Sequence, residues 1–544
     1  MKILLLVPPF RTTDKLVHRL YPMPYAAVII GTVLQQAGHT VTIKDFLVPA
    51  VESACPSPTS FAGKGGAPAY RHYGAPLEDC VQWINSNVHA YDVVGVCMGQ
   101  CNNYSTASEI AQCVKKNKKP LVIGGAYVTT ATEQALQLTG ADVAVCGEGE
   151  EVCVEAFERA LRGDHGAVLQ GAIIDITRTL IPDWKLAPPS TYPDNEGRVR
   201  GVLTISRGCP WGCEFCSVHT VASRKHRRQS AERIEQELRN LWEQGVRYFC
   251  FLDDNLFINK AAVDTILGVI TKLDAELPGF DKCRFYVEEG MEVRVAAQDG
   301  LVARIAAARF DHLAIGLETL NDATRSTMHK PYTAQHLDKA IEQCHTAGIT
   351  PRAFYIIGFQ GDTVESVSHD LVQLGKMGID IRANNLKLYP GTAVTKQFLE
   401  QGIIEKDYDW RLSSWWTPTT TITYAQIRKL KAVLRAIGQA AAELGINIFS
   451  DSIGDIKDKF AKHHFTLHTV GNIYTLSGNV NYRPTGYRKM LELIALRFGA
   501  HGCKTEVKER TIVARAIAAP ADEIQEALYH ALHTDEEVGQ IKLF

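Results

Sequence analysis

The chain of 544 residues lacks most features that would assign it to a specialised class. It has almost no excess charge of either sign. Its 58 Lys and Arg stand against 60 Asp and Glu, a formal net charge of -2, so no global field draws it to nucleic acid or to an anionic membrane. No apolar run approaches the ~18 to 20 residues of a membrane span. The opening MKILLLVPPF has one lysine, a short apolar run and then prolines, with no small-residue cleavage site, and it reads as a buried strand rather than a signal peptide. Internal repeats and low-complexity tracts are absent. Fourteen cysteines over this length do not make a disulfide framework, so the expectation is a cytoplasmic protein with mostly buried thiols. The balance of 46% hydrophobic and 22% charged residues is ordinary for a globular chain, and the length implies two to four domains.

What is present is an alternation of strand and helix. Over residues 1–165 the segments KILLLVPP, YAAVIIGTVLQQAGH, TVTIKDF, YDVVGVCMG, ASEIAQCVKKNKK, PLVIGGAYVT, EQALQLTG, ADVAVCGEGE and EVCVEAFERAL follow one another, broken by an irregular stretch over about 49–76. Near-continuous apolar strands separated by helices predict a doubly wound parallel sheet, Rossmann-like, covered on both faces. A ligand of such a sheet sits at the carboxyl ends of the strands. Those ends are small-residue loops, VPP, CMG, GGAYV and GEGEE, which let a backbone approach something large and flat; any one of these glycines can also serve only a tight turn. A connector rich in proline and polar residues spans 166–198. Six further βα units over 199–405, with strands in VLTISRG, YFCFLDDN, RFYVEEGM, HLAIGLET, RAFYIIGFQG and NNLKLYPG, predict a second parallel sheet curved into a partial (β/α)6 barrel. Residues 406–544 form a third region, mainly helical α+β, opening with a Thr423/Gln426 capping box and an apolar stripe from Ile427 to Leu444 that reads as core.

The one dense chemical signal is SRGCPWGCEFCSVHT. Cys209, Cys213 and Cys216 form CxxxCxxC in the loop after the first barrel strand. Structural zinc usually takes four ligands in CxxC pairs, and no second pair lies nearby. Three thiolates suit a four-iron four-sulfur cluster with one iron left open to a substrate molecule. Three inert thiols fit poorly in a polar, Gly-rich loop.

With that spacing at that position the barrel resembles the radical S-adenosylmethionine (SAM) enzymes. The resemblance implies that Cys209, Cys213 and Cys216 ligate a [4Fe-4S] cluster whose open iron chelates SAM and whose electron cleaves it to a 5′-deoxyadenosyl radical. It also implies SAM contacts from Phe215 near the adenine, from Asp253, Asp254 and Asn255 of FLDDN, from Gly316 and Glu318 of GLE, from Gly358 of IIGFQGDT and from Tyr389 of YPGT. Glu318 has the alternative of pairing with a nearby base, and Gln360 stands where the family more often has Pro. The preceding domain, with its GG and GEGE, resembles that of the cobalamin-binding subfamily. A corrinoid would then lie over Pro8, Met98, Gly99, Gly124, Gly125, Ala126, Gly147, Glu148 and Gly149. The DxHxxG that supplies a histidine to cobalt in other corrinoid proteins is absent from residues 1–165, so cobalamin is expected with its tail displaced and no histidine below the metal. His18, His39, His72 and His89 read as solvated or satisfied side chains.

For the subfamily the resemblance implies an enzyme that uses SAM twice, once to load methyl on cobalt as methylcobalamin and once for the radical, and so methylates an unactivated carbon of a small molecule. A cyclase or ring-rearranging activity that keeps both cofactors but moves no methyl group is the alternative. A tRNA methylthiotransferase is disfavoured because the cysteines of the first domain do not form a second trio. The basic run SRKHRRQ (223–229) reads as a solvated loop rather than a phosphate grip. The expected partners are a small-molecule substrate and an external electron donor such as flavodoxin or ferredoxin, with no nucleic acid. Trp410, Trp415 and Trp416 are candidates for a substrate pocket or, equally, for domain packing.

Overall fold

The computed structural model describes residues 1–12, 23–48, 52–55, 70–99, 103–193, 197–287, 289–330, 332–349, 351–414, 417–418, 422–423, 426–427, 453–462, 465–470, 473–478, 506–508 and 511–515. Its first nine strands are β1 (Lys2–Val7), β2 (Phe10–Thr12), β3 (Thr40–Asp45), β4 (Glu52–Cys55), β5 (Tyr70–Tyr73), β6 (Val93–Cys97), β7 (Leu121–Gly124), β8 (Val143–Cys146) and β9 (Ala167–Gln170). Six of them make one parallel sheet in the order β3-β1-β6-β7-β8-β9. Successive residues of each apolar strand supply opposite faces. Leu4, Leu6, Val94, Val96 and Ile123 pack under the helices Leu77–Asn87 and Tyr104–Lys116. Ile3, Leu5, Val93, Val122 and Val143 pack against Leu34 and Phe157 of the helices Tyr25–Gln36 and Cys153–Arg162. The strand order reverses between β1 and β6, which makes their carboxyl ends the switch point where a ligand crevice opens. Part of the stretch taken as irregular holds a small antiparallel sheet, β2-β5-β4, which periodicity did not reveal.

The barrel strands are β10 (Arg200–Leu203), β13 (Tyr248–Phe251), β14 (Arg284–Val287), β15 (Phe310–His312), β16 (Ala314–Glu318), β17 (Arg352–Ile357) and β18 (Asp380–Asn385), with a short pair β11 (Ser206–Arg207) and β12 (Arg227–Arg228) between the first two. They run parallel in sequence order as a four-stranded and a three-stranded sheet, joined by a bridge between Met291 and Ile315. β15 and β16 occupy one strand position interrupted at Leu313, so the barrel has the six positions expected. The sixth differs in register. NNLKLYPG contributes only Asn384 and Asn385 to the ladder, and the strand proper is the polar DIRANN. Asp380 is buried and accepts from Arg352 Nε at 2.8 Å, while Leu386 and Leu388 bury their side chains just beyond the ladder. Pairing with Arg352 makes a strand of residues whose composition reads as loop.

The connector is packed, and it begins with sheet. β9 adds the sixth strand of the first sheet from within 166–198, and Trp184, Ala187 and Tyr192 enter the barrel's own core beside Met23 and Val28. A second seam forms after the barrel, where Leu388, Val394, Phe398, Tyr408, Trp410 and Leu412 share a core with the first sheet's helices. Trp410 is 6% exposed, donates Nε1 to Gln134 Oε1 at 2.9 Å and meets Tyr408 edge-on, so of its two readings the structure places it in domain packing. Trp415 and Trp416 lie outside the described residues. The capping box is present: Thr423 N donates to Gln426 Oε1 and Gln426 N to Thr423 Oγ1. Most of the helix behind it also lies outside the described residues. Further on, a helix (Ile453–Lys462) precedes an antiparallel sheet of four short strands. No helix among the described residues is long and apolar enough to cross a membrane.

Truncating Trp410 should open this second seam. We expect Trp410→Ala to cost ~3–5 kcal/mol in urea unfolding, and Trp410→Phe, which loses the Gln134 hydrogen bond but keeps a ring, to cost about 1 kcal/mol.

Candidate functional site

The cysteine loop leaves the barrel through a two-residue antiparallel ladder, with Ser206 opposite Arg228 and Arg207 opposite Arg227. At its first turn Gly208 has φ +84°, and a Cβ there would lie 2.5 Å from the Lys225 carbonyl oxygen and 2.8 Å from that of Ser223. Only glycine fits. Within the loop Cys209 N donates to Ser223 O and Cys216 N to Cys213 O. The loop is tied to the sixth barrel unit as well, through Val394 N donating to Glu214 O. Trp211 lies under the Arg294 guanidinium, 4.5 Å from its ring centroid.

The second strand holds the loop from below. Asp253, expected at the SAM amino group, is fully buried. Its carboxylate accepts from Ile205 N, from Ser206 N at 2.5 Å and from Ser206 Oγ at 2.6 Å. It therefore builds the corner between β10 and the loop, and the SAM-facing expectation falls to its neighbours. Asp254 accepts from Gly208 N at 2.8 Å, and burial pushes its carboxyl up. Asn255 points Nδ2 at Cys209 Sγ, 3.6 Å away, while its Oδ1 is buried with no partner among the described residues.

Glu318 ends β16 at φ +68°, beside a register shift in the β16–β17 ladder. Lys330, absent from the sequence reading, lies 3.1 Å from Glu318 Oε1 and also donates to Gly316 O. Glu318 thus has a base beside it, as one of its two readings expected. A Cβ on Gly316 would sit 3.3 Å from Lys330 Nζ, so a small residue leaves room for the pair. Burial opposes the lysine charge, but Glu318 and Cys213 outweigh it and hold Lys330 above its ordinary value. Its ammonium lies 5.9 Å from the ring centroid of Phe215, which packs edge-on against Phe359. The Gly358 turn is closed by Asp362, which accepts from Gly358 N and Phe359 N. Tyr389 O accepts from Thr392 at the start of the helix Ala393–Glu400.

All described cysteines are free thiols. Burial pushes the trio above the ordinary cysteine value, Cys216 to about 12. Among the described residues no three His, Cys, Asp or Glu converge as the ligands of a single ion do. A four-iron cube asks for something else: three thiolates on three different irons, set wider apart, with the fourth iron open. Three thiols on one braced loop, beside the unpartnered oxygen of Asn255, fit that group. When bound it supplies single electrons to a ligand on the open iron.

At the carboxyl edge of the first sheet, Pro8 is buried and Met98 N donates to Gly124 O. Gly125 (φ +117°) starts the helix Ala126–Thr130, and a Cβ there would meet Met98 O at 2.6 Å. Among the described residues a Cβ on Gly99 would meet only Asn103 Nδ2, at 3.6 Å. Gly147 N donates to Thr129 Oγ1. This glycine edge fits a corrinoid. The side chain of Glu148 does not take part: its carboxylate receives both terminal nitrogens of Arg227, at 2.5 and 2.7 Å, and Ile174 N at 2.9 Å. Arg227 belongs to the run expected to be solvated, yet it is buried. Of the four histidines, His72 is buried and bonds Ala75 O, and His18 lies outside the described residues.

The two edges face one another. A Cβ built on Gly391, after β18, would lie 3.7 Å from Thr220 behind the cysteines and 3.9 Å from Thr130 of the helix Ala126–Thr130, and the Glu148–Arg227 pair closes the other side. Residues 203–373 match the Radical SAM superfamily and residues 19–157 the B12 binding domain. The chain thus joins a B12-binding domain to a radical SAM domain. It is 29% identical to an uncharacterised methyltransferase of Synechocystis, over 46% of this chain and 45% of that one. It is 24% identical to the bacteriochlorophyllide d C-12(1)-methyltransferase of Chlorobaculum tepidum, over 60% of this chain and 69% of that one. With the anaerobic magnesium-protoporphyrin IX monomethyl ester cyclase of Cereibacter sphaeroides the identity is 27%, over 45% and 43%. The chain thus spans about half the length of the first and last of these relatives. Among solved structures it resembles the radical SAM methyltransferase TsrM of Kitasatospora setae, with cobalamin and a [4Fe-4S] cluster bound, at TM-score 0.55 and 16% identity over 74% of this chain and 78% of that one. It also resembles the cobalamin-dependent radical enzyme OxsB, with aqua-cobalamin and SAM bound, at TM-score 0.59 and 11% identity over 85% and 70%. At these identities the likeness is one of fold.

Two predictions follow from the radical SAM loop. Reconstituted protein should hold about four irons, and Cys213→Ala should lose them together with the formation of 5′-deoxyadenosine from SAM; a triple alanine variant that still forms it would overturn the assignment. The second concerns Asp253, whose carboxyl burial pushes up to about 7. An unfolded aspartate titrates near ~3.9, so between these values the native state keeps a proton that the unfolded state has lost. Stability is then lost as pH rises through that window. Urea midpoints at about pH 5 and about pH 8 should differ more in the wild type than in Asp253→Asn.

Proposed function

We propose that this enzyme methylates an unactivated carbon of a small molecule, and that each turnover consumes two SAM. The observation that carries this reading is the opposition of two carboxyl edges in one chain: a glycine edge fit for a corrinoid and a cysteine loop fit for a cluster. A radical generator alone has no need of the first, and a polar methyl transfer to a nucleophile has no need of the second. The balance closes without a proton. Two SAM, one substrate C–H and two electrons go in; the C–CH3 product, S-adenosylhomocysteine, methionine and 5′-deoxyadenosine come out. The chain's own role is to order three reactants at one place.

Within this reading Cys209, Cys213 and Cys216 ligate the cluster; Asp254, Asn255, Phe215, Gly316, Glu318, Gly358 and Tyr389 line the SAM site. The backbone at Pro8, Met98, Gly99, Gly124, Gly125, Ala126, Gly147 and Gly149 carries the corrinoid with no histidine on cobalt. The domain division 1–165, 199–405 and 406–544 is kept, with β9 counted to the first sheet. Electrons come from an external donor such as a flavodoxin or ferredoxin, and the oxygen lability of such a cluster favours a cytoplasmic location. The cyclase relative favours a second reading, radical chemistry with both cofactors and no methyl transfer.

Anaerobic incubation of reconstituted enzyme with cell extract and methyl-labelled SAM, followed by mass spectrometry, separates the two. We expect S-adenosylhomocysteine and 5′-deoxyadenosine in about a 1:1 ratio and a product methyl that keeps all three labelled hydrogens. Substrate consumption with deoxyadenosine but neither S-adenosylhomocysteine nor product methyl would establish the second reading instead.

A further inference from the structure

The acidic side chains of GEGE, Arg207 beside the cysteine loop and Arg227 of the basic run have no part in the cofactor chemistry above, yet they find one another. Glu150 Oε1 lies 2.6 Å from Arg207 Nη2, Arg207 Nη1 lies 3.9 Å from Glu148, and Glu148 grips Arg227 with both oxygens. The charges alternate along this line, and the side chains of Glu148 and Arg227 are each 8% exposed. Arg227 also donates to Ile174 O of the connector and to Ala222 O, where the short helix after the cysteines ends. One guanidinium therefore joins three segments: the corrinoid edge of the first sheet, the connector, and the return arm of the cysteine loop. Arg207 and Arg227 face each other across the ladder through which that loop leaves and returns.

We propose that Glu148 and Arg227, with Glu150 and Arg207 as a second rung, form an interdomain clasp that sets where the corrinoid edge stands relative to the cysteine loop. Glu148 is a positioning residue. Its loop would present backbone to the corrinoid while its carboxylate, turned the other way, holds the ladder under the cluster. A bidentate arginine–carboxylate pair suits this task because it fixes angle as well as distance. The inference rests on the proposed function in one respect only: the two steps that use SAM make different demands on the clasp. Deoxyadenosine formation needs SAM and the cluster loop. S-adenosylhomocysteine formation needs the corrinoid to reach the methyl group of SAM, and so needs both edges in place.

The test uses full-length protein reconstituted with cluster and hydroxocobalamin, given SAM and a chemical reductant without substrate. Glu148→Gln should keep wild-type iron and cobalamin content while the ratio of S-adenosylhomocysteine to 5′-deoxyadenosine falls about tenfold or more, since a misplacement of ~1 Å costs on the order of 10²-fold. In the same samples, hydrogen exchange across residues 206–228 should quicken at least about tenfold, with no change in the helix Lys260–Glu276. The variant Glu148→Gln/Arg227→Gln, which removes both buried charges, serves if the single variant loses cofactor. An unchanged ratio with unchanged exchange would overturn the clasp, as would loss of both cofactors from both variants, which would make the pair a determinant of binding rather than of position. Should the wild type form no S-adenosylhomocysteine at all, the methyl-transfer reading fails and the exchange result alone decides the clasp.

Discussion

Parallel sheets offer their ligands one place, the carboxyl edge, and two such sheets can serve one reaction only if those edges are turned toward each other and held there. In this chain the holding falls to a buried ion pair. The carboxylate of Glu148 projects from the edge of the first sheet, and the guanidinium of Arg227 closes the ladder at the foot of the cysteine loop. Apolar seams on both sides fix the same relation more coarsely: Trp184 in the barrel core and Trp410 against the helices of the first sheet. Packing of this kind resists separation but is indifferent to small slides. The ion pair is not, because removing one partner strands a buried charge at a cost of ~3–5 kcal/mol.

The cysteine loop illustrates how much structure a flexible-looking motif requires. Its glycines and proline suggest freedom, yet every end is tied. Gly208 is pressed between two carbonyls, Asp253 and Asp254 hold the entry, and Glu214 is bonded to the start of the helix after β18. Such bracing has a physical reason. Burial raises the three thiols, which favours their protonated form without metal; the loop is arranged by its surroundings rather than by a cluster. Such prior arrangement is what the proposed cluster, held by three ligands, would require.

The alternation of apolar strands and helices made both sheets legible, and the CxxxCxxC made the cluster legible, because each signal lies within a few consecutive residues. What escaped was pairing at long range. GEGE looked like part of the corrinoid bed and SRKHRRQ like a solvated loop, since nothing local says that Glu148 and Arg227 cancel one another. Asp253 was read from its motif as a ligand contact, but a carboxylate preceding another in FLDDN can turn inward, and this one does. DIRANN was missed as a strand for the same reason. Its buried Asp380 is acceptable in a ladder only because Arg352 of the neighbouring strand meets it.

Lys330 extends that argument into the site itself. A buried ammonium beside three thiols and a carboxylate changes the local field in whichever direction the site is charged. With the thiols protonated, Lys330 answers chiefly Glu318. With thiolates on a cluster it also faces negative charge from Cys213, already among the groups that hold its proton. Glu318 is held at positive φ at the end of β16, and Gly316 leaves space for the lysine to reach it. The pair would thus keep a cation beside the proposed cluster without offering a fourth ligand, since a charged ammonium has no lone pair for iron. The proposed open iron would then depend on residues that do not touch the metal as much as on the three that would.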